Sequence, residues 1–349
     1  MEKIKYIECL RSLATFAVVF IHICMTLPAN YSKVELGLFN YSFFECGYML
    51  ACWAVPIFIM ITGALLLDPQ RTITLSKIKK YVKRMAVILI IFGGVYALME
   101  LVFNEKKFVL SMISKAIFNV VEEKSWGHLW YIYTLIGLYI VTIPLSAVLK
   151  NVEKKLQEIL LIVLIIGCFL IPTINAALKI NIANYMLVES AIVYYVLGQY
   201  LALSDSKFGV LPFVILPMSI LALFTIAICG VYIYSPLLDV AMMGNNIFRI
   251  MAAASLFIIV KNYFCHPHHN RIIESGSTLY SILERLNRYS FGIYLVHPFF
   301  INLIYKVLKI TPMSGNVGLM TIILFVIVYV ASLFLSFVLT KIPLLNKYV

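Results

Sequence analysis

Three ionisable side chains crowd the first apolar segment of this chain, in IECLRSLATFAVVFIH: Glu8, Arg11 and His22. An ionisable group within an apolar run is expensive and marks a functional site by default. Arg11 and His22 are eleven residues apart. Eleven steps of about 100° come to about 1100°, within roughly 20° of three turns. On a helix both side chains therefore project from one face, about 16 Å apart along the axis. A guanidinium is a permanent cation, and an imidazole can serve as a general base or a transient acyl carrier. Aligned on one cavity wall, the two suit a long, thin, anionic substrate that spans them. The plainer reading lets Arg11 snorkel to the interface and pair with Glu8, while His22 hydrogen-bonds a neighbouring helix.

Two more histidines stand in aromatic apolar runs, His128 with Trp130 in HLWYIYTLIGLY and His297 with Tyr294 in SFGIYLVHPFF. Both pairs are candidates for lining a polar cavity. The competing uses are interfacial anchoring for the first and, for His297, repair of the backbone that Pro298 disrupts. Glu45, Glu100 and Glu189 fall near ends of apolar runs, where a carboxylate can reach water. Cys265, His266, His268 and His269 are adjacent in sequence and cannot easily converge on one ion, so no metal site is expected. There is no phosphate-binding loop, dinucleotide fingerprint, HExxH pattern or nucleophile elbow.

The elements that must position these groups are membrane helices. Of 349 residues, 62% are hydrophobic and 13% charged, against about 45–50% and about 25% in soluble domains. Apolar runs long enough to cross a hydrocarbon core of about 30 Å recur near 6–27, 44–67, 84–104, 128–149, 157–178, 186–204, 211–233, 245–263, 289–309 and 318–341. The expected fold is an all-α polytopic bundle of about ten transmembrane helices, a single domain over 1–349 with no separate soluble domain. An even count places both termini on one side. With that side cytoplasmic, about 19 Lys and Arg lie in cytoplasmic segments and about 9 in external ones, the bias that orients membrane proteins. The net charge of +12 is then a topology signal and calls for no nucleic acid. The seven cysteines fall mostly within spans, at spacings that suit packing. The stretch from Glu105 to Gly127 carries apolar residues at helical spacing and is expected to lie along the membrane surface.

The combined pattern resembles the acyltransferase 3 family of integral membrane O-acyltransferases. Arg11 and His22 match its arginine, ten residues, histidine signature. Ala54 to Leu67, AVPIFIMITGALLL, resembles its second-helix segment, with Thr62 where serine is commoner. KKYVKR resembles its arginine-rich motif, although lysines stand at several arginine positions. HLWYIYTLIGLY, YYVLGQYL and SFGIYLVHPFF resemble later segments. The resemblance implies a bacterial cytoplasmic-membrane enzyme with no permanently bound cofactor. It would move an acyl group, most simply acetyl, from cytoplasmic acyl-CoA to a hydroxyl of an extracytoplasmic glycan or lipid-linked sugar. On that reading His22 is catalytic, and Arg11 positions the donor. Lys80, Lys83 and Arg84 are candidates for the donor phosphates, and Glu8, His128, Trp130, Tyr294 and His297 for the cavity. The alternative is a transporter or exporter of a polysaccharide, lipid-linked sugar or amino acid that uses the same polar cavity.

Overall fold

A computed structural model describes residues 2–182, 188–204, 208–265, 278–343 and 345–348. Among the described residues the chain is helical and has no strand. In hydrocarbon every backbone N–H and C=O needs an internal partner, and a helix supplies one within each segment. In chain order the α-helices are α1 (Glu2–Thr26), α2 (Lys33–Leu36), α3 (Leu38–Ala51), α4 (Ala54–Leu66), α5 (Leu75–Ile88), α6 (Gly94–Glu105), α7 (Ser111–Val121) and α8 (Trp130–Asn151). There follow α9 (Lys154–Ile165), α10 (Ile171–Leu178), α11 (Ser190–Leu203), α12 (Leu211–Tyr232), α13 (Pro236–Met242), α14 (Ile247–Cys265), α15 (Thr278–Asn302) and α16 (Val317–Lys341).

Several α-helices join into longer rods. The π-turns Leu89–Gly93 and Ile166–Leu170 link α5 to α6 and α9 to α10. Between α3 and α4 the break falls at Cys52 and Trp53, where Pro56 has no N–H to offer the Cys52 carbonyl. Among the described residues nine segments are long and apolar enough to cross a bilayer, against the ten expected. The remaining one is α11, whose 14 residues cover only about 21 Å. Its direction is nevertheless that of a crossing. Lys261 near the end of α14 donates to the carbonyls of Leu201 and Ser204 at the end of α11. Arg249 near the start of α14 lies within electrostatic reach of Tyr194 near the start of α11. The two helices thus run parallel, with α12 between them in sequence.

The described residues form two compact units, the first of Met1–Asp68 and Val152–Phe337, the second of Pro69–Asn151 and Val338–Val349. In the first, α1 packs against α3, α4, α14 and α15. One core joins Val19 and Ile23 of α1 to Phe44 of α3, Ile293 and Ile301 of α15, and Leu324, Val328 and Tyr329 of α16. Phe16 lies flat on Tyr329, with ring centroids 4.2 Å apart and planes 9° from parallel. In the second unit α5 packs on α8 and α6 on α7. Helix α7 buries Met112, Ala116 and Val120, spaced four apart, and leaves Ile113, Ile117, Phe118 and Val121 exposed. That second apolar face fits the expected surface-lying segment.

The closest approach of two helices explains two of the glycines in the family-like segments. A Cβ on Gly63 of α4 would meet the Tyr195 carbonyl oxygen at 1.8 Å, and one on Gly198 of α11 would meet the Met60 carbonyl oxygen at 2.0 Å. Lipid is as apolar as leucine, so helices associate in it by close packing that small residues permit. Backbone cannot yield as a side-chain tip can. Gly198→Ala should cost roughly 1–3 kcal/mol in unfolding of the purified protein in mixed micelles. Gly137→Ala, where a Cβ meets nothing within 4 Å, should leave the transition where it is.

Candidate functional site

Within the first unit the candidate site is built on α1 and α15. Arg11 Nη1 donates to Asn287 Oδ1 at 3.1 Å, and Ser12 Oγ donates to the Leu283 carbonyl at 3.4 Å. Ten residues further on, the rings of His22 and His297 approach to 4.9 Å between centroids, at 51° between planes. Residue numbers rise together along both helices, 11 with 287 and 22 with 297, so α1 and α15 are parallel neighbours in register. The same-face geometry expected for Arg11 and His22 holds over an unbroken helix. Both side chains look towards α15.

His297 is fully buried and Tyr294 nearly so, while His22, Arg11, Glu8 and Asn287 are half-buried. His297 Nδ1 lies 3.1 Å from the Ile293 carbonyl. A carbonyl only accepts, so Nδ1 carries the proton, and in the neutral ring Nε2 carries the lone pair. Pro298 withholds its donor from the Tyr294 carbonyl. The bond from His297 goes instead to Ile293, so repair of the proline kink is not what this histidine does. Tyr294, one turn earlier on α15, stands 6.3 Å from His297 between ring centroids. The Thr26 hydroxyl turns back to the His22 carbonyl, and Thr15 to that of Arg11. The Thr62 hydroxyl likewise bonds the Phe58 carbonyl in its own helix.

The second unit holds the other predicted residues. His128 is buried in the turn Gly127–Leu129, its ring 5.7 Å from Tyr96 and 6.4 Å from Trp126. Trp126 stacks flat on Tyr96 at 4.1 Å and donates Nε1 to Glu100 at 3.2 Å. Trp130 is 51% exposed, as suits an interfacial anchor. Lys80 and Lys83 are exposed on α5. Arg84 Nε and Nη2 both donate to the Tyr348 carbonyl, at 3.0 and 2.8 Å. The edge of the guanidinium that would grip a phosphate is therefore engaged within this unit.

Two buried charges went unassigned in the sequence, and for one reason. Glu45 was expected to reach water but is 2% exposed; it accepts a hydrogen bond from Tyr41 and has Lys33 within electrostatic reach. Arg249 was passed over and is 7% exposed. Their spans begin earlier than apolarity suggests, at Leu38 in place of 44 and at Pro236 in place of 245. That puts Glu45 two turns inside its span and Arg249 beyond α13. Glu189 is exposed, as expected. Asn287 carried no signal of its own and becomes visible only opposite Arg11. Among the described residues no cluster of His, Cys, Asp or Glu could hold a metal; His266, His268 and His269 lie outside them.

A fixed cation at one level of a helix pair and two imidazoles at another can orient an anionic substrate and accept or relay a proton at its reactive end. A multi-pass helical membrane protein with that pair at its core belongs to the class that can carry out group transfer within the bilayer. The model of the acyltransferase 3 family, described as an acyltransferase domain, matches residues 4–341. The chain belongs to that family and is a membrane acyltransferase. No curated protein and no solved structure matches it.

A hydrogen bond to a charged group contributes about 1.5–3 kcal/mol, and the bond from Arg11 to Asn287 is the polar tie at its level of the pair. Asn287→Ala should destabilise the protein by about that amount. In Arg11→Gln, where no charge remains to be held, the further loss on adding Asn287→Ala should fall below about 1 kcal/mol. A double-mutant cycle on unfolding in mixed micelles measures both.

Proposed function

We propose that the protein transfers an acyl group, most simply acetyl, from acyl-CoA to a hydroxyl of an extracytoplasmic glycan or lipid-linked sugar. The observation that carries the reading is the contact of His22 with His297 on a helix face that also presents Arg11. CoA is anionic at its nucleotide end and bears its thioester at the tip of a slender arm. The separation of Arg11 and His22, about 16 Å along α1, suits a donor whose charge is held at one level and whose thioester reaches the other.

In this mechanism Arg11 holds an anionic group of the donor, as a guanidinium does with phosphate. His22 takes the proton of the acceptor hydroxyl as its oxygen attacks the thioester carbonyl. The C–S bond breaks, and the thiolate recovers a proton from the imidazolium, so the enzyme ends as it began. A covalent acyl-imidazole at His22 is the two-step version of the same chemistry. His297, fixed by Ile293, packs against the His22 ring and orients it. Cytoplasmic termini and a bacterial cytoplasmic membrane complete the proposal.

The test uses purified protein in lipid with radiolabelled acetyl-CoA and a crude envelope glycan fraction, followed by free CoA and labelled glycan. Wild type should release CoA in a glycan-dependent way. His22→Ala should lose at least about 10²-fold, the lower range for a general base, with its unfolding transition unchanged. Equal behaviour of the two proteins across acetyl, succinyl and longer donors would overturn catalysis and favour transport of a glycan or amino acid through the same cavity.

A further inference from the structure

Arg249 occupies the first turn of α14 and is 7% exposed. Its Nη2 donates to the carbonyls of Ala241 and Met242, at 3.4 and 3.3 Å, and its guanidinium lies 5.3 Å from the centroid of the Tyr48 ring and bonds the Tyr48 hydroxyl. The two carbonyls end α13, so capping a helix C-terminus is one use of this side chain. They are neutral groups at the long end of hydrogen-bond range and leave the charge in place. Among the described residues no carboxylate pairs with Arg249, whose electrostatic neighbours are Tyr48, Cys52 and Tyr194. Its Nε is buried and makes no hydrogen bond.

Tyr194 on α11 is in the same condition. Its ring is 3% exposed, Arg249, Cys52 and Tyr48 lie within electrostatic reach, and its buried hydroxyl makes no hydrogen bond. Below these groups the packing is apolar, with Met49, Cys52, Leu223 and Ala241 in one buried cluster that Tyr48 joins. A buried cation at membrane depth costs several kcal/mol unless it is compensated. Native structures leave few buried polar atoms without partners, and each such atom points to something that binds there. Here two stand together beside an uncompensated positive charge.

We propose that Arg249, Tyr48 and Tyr194 bind a phosphate-type oxyanion. The three donors come from three helices, α14, α3 and α11. Donors that converge from different elements suit a tetrahedral group with several oxygens better than a planar carboxylate gripped along one edge. The ligand is a phosphate group, borne by a polyprenyl-phosphate-like lipid or by a soluble phosphate. Assigning that phosphate to the acyl acceptor rests on the transferase reading; the site itself does not.

The experiment measures binding of ³²P-labelled geranyl phosphate to the full-length protein in lipid nanodiscs, with no acyl donor present, so the fate of the transferase reading does not affect it. Wild type should bind saturably. Unlabelled geranyl phosphate should displace the probe, and the neutral alcohol geraniol should not. Displacement by inorganic phosphate as well would identify a soluble oxyanion as sufficient; its failure to displace would identify a lipid-borne phosphate. Arg249→Gln should weaken binding about tenfold or more, and Arg249→Lys should retain most of it, since the charge is kept. If Arg249→Gln does not fold, Tyr194→Phe, which removes one hydroxyl, should still weaken binding several-fold with its unfolding transition unchanged. Displacement by geraniol as effective as by geranyl phosphate would overturn the proposal. So would wild-type affinity in folded Arg249→Gln or in Tyr194→Phe.

Discussion

The parallel pairing of α1 with α15 is the constraint on which the site depends. Two helices far apart in sequence meet at two levels, in a hydrogen bond from Arg11 to Asn287 and in the contact of the His22 and His297 rings. Between those levels they share an apolar core with α3 and α16. In lipid there is no hydrophobic force to hold such a pair together, so shape and a few polar contacts must do it. A slip of one residue would turn each side chain by about 100° and part both contacts at once. The flat stack of Phe16 on Tyr329 ties α1 to α16 as well, from a direction about 120–140° around the helix from Arg11 and His22.

The rest of the first unit supports that pairing from behind. Gly63 and Gly198 let α4 and α11 touch backbone to backbone, and α4 is one of the helices against which α1 packs. A bulkier residue in that contact would press on the wall behind α1. The family-like segments thus divide by role. AVPIFIMITGALLL and YYVLGQYL contribute glycines that set helix spacing. IECLRSLATFAVVFIH and SFGIYLVHPFF contribute the groups that can do chemistry.

Much of this was legible in the sequence, because membrane helices obey length and polarity rules that leave few choices. The spans, the common face of Arg11 and His22, and the candidacy of His297 follow from apolar runs and a 100° step. The pairing of His22 with His297 does not, because nothing in either segment names its partner. Asn287 was invisible for the same reason. Glu45 and Arg249 were misjudged through span starts, since polar residues such as Asn40 and Ser42 and the turn ahead of Ile247 dilute the apolar signal where the helices already run. Arg84 illustrates a further limit: a basic motif advertises phosphate binding, but which of its donors is already engaged depends on a carbonyl 264 residues away.

The central claim is that His22 and His297 act as one unit. It is tested most directly by a double-mutant cycle on the rate of CoA release from acetyl-CoA, with His22→Gln, His297→Gln and the double variant in lipid, each checked for an unchanged unfolding transition. The account predicts that the double variant is no slower than the slower single variant to within a few-fold, because the second imidazole has nothing left to orient. Losses that multiply, each single effect appearing in full in the double variant, would contradict it and make the contact between the two rings a matter of packing alone.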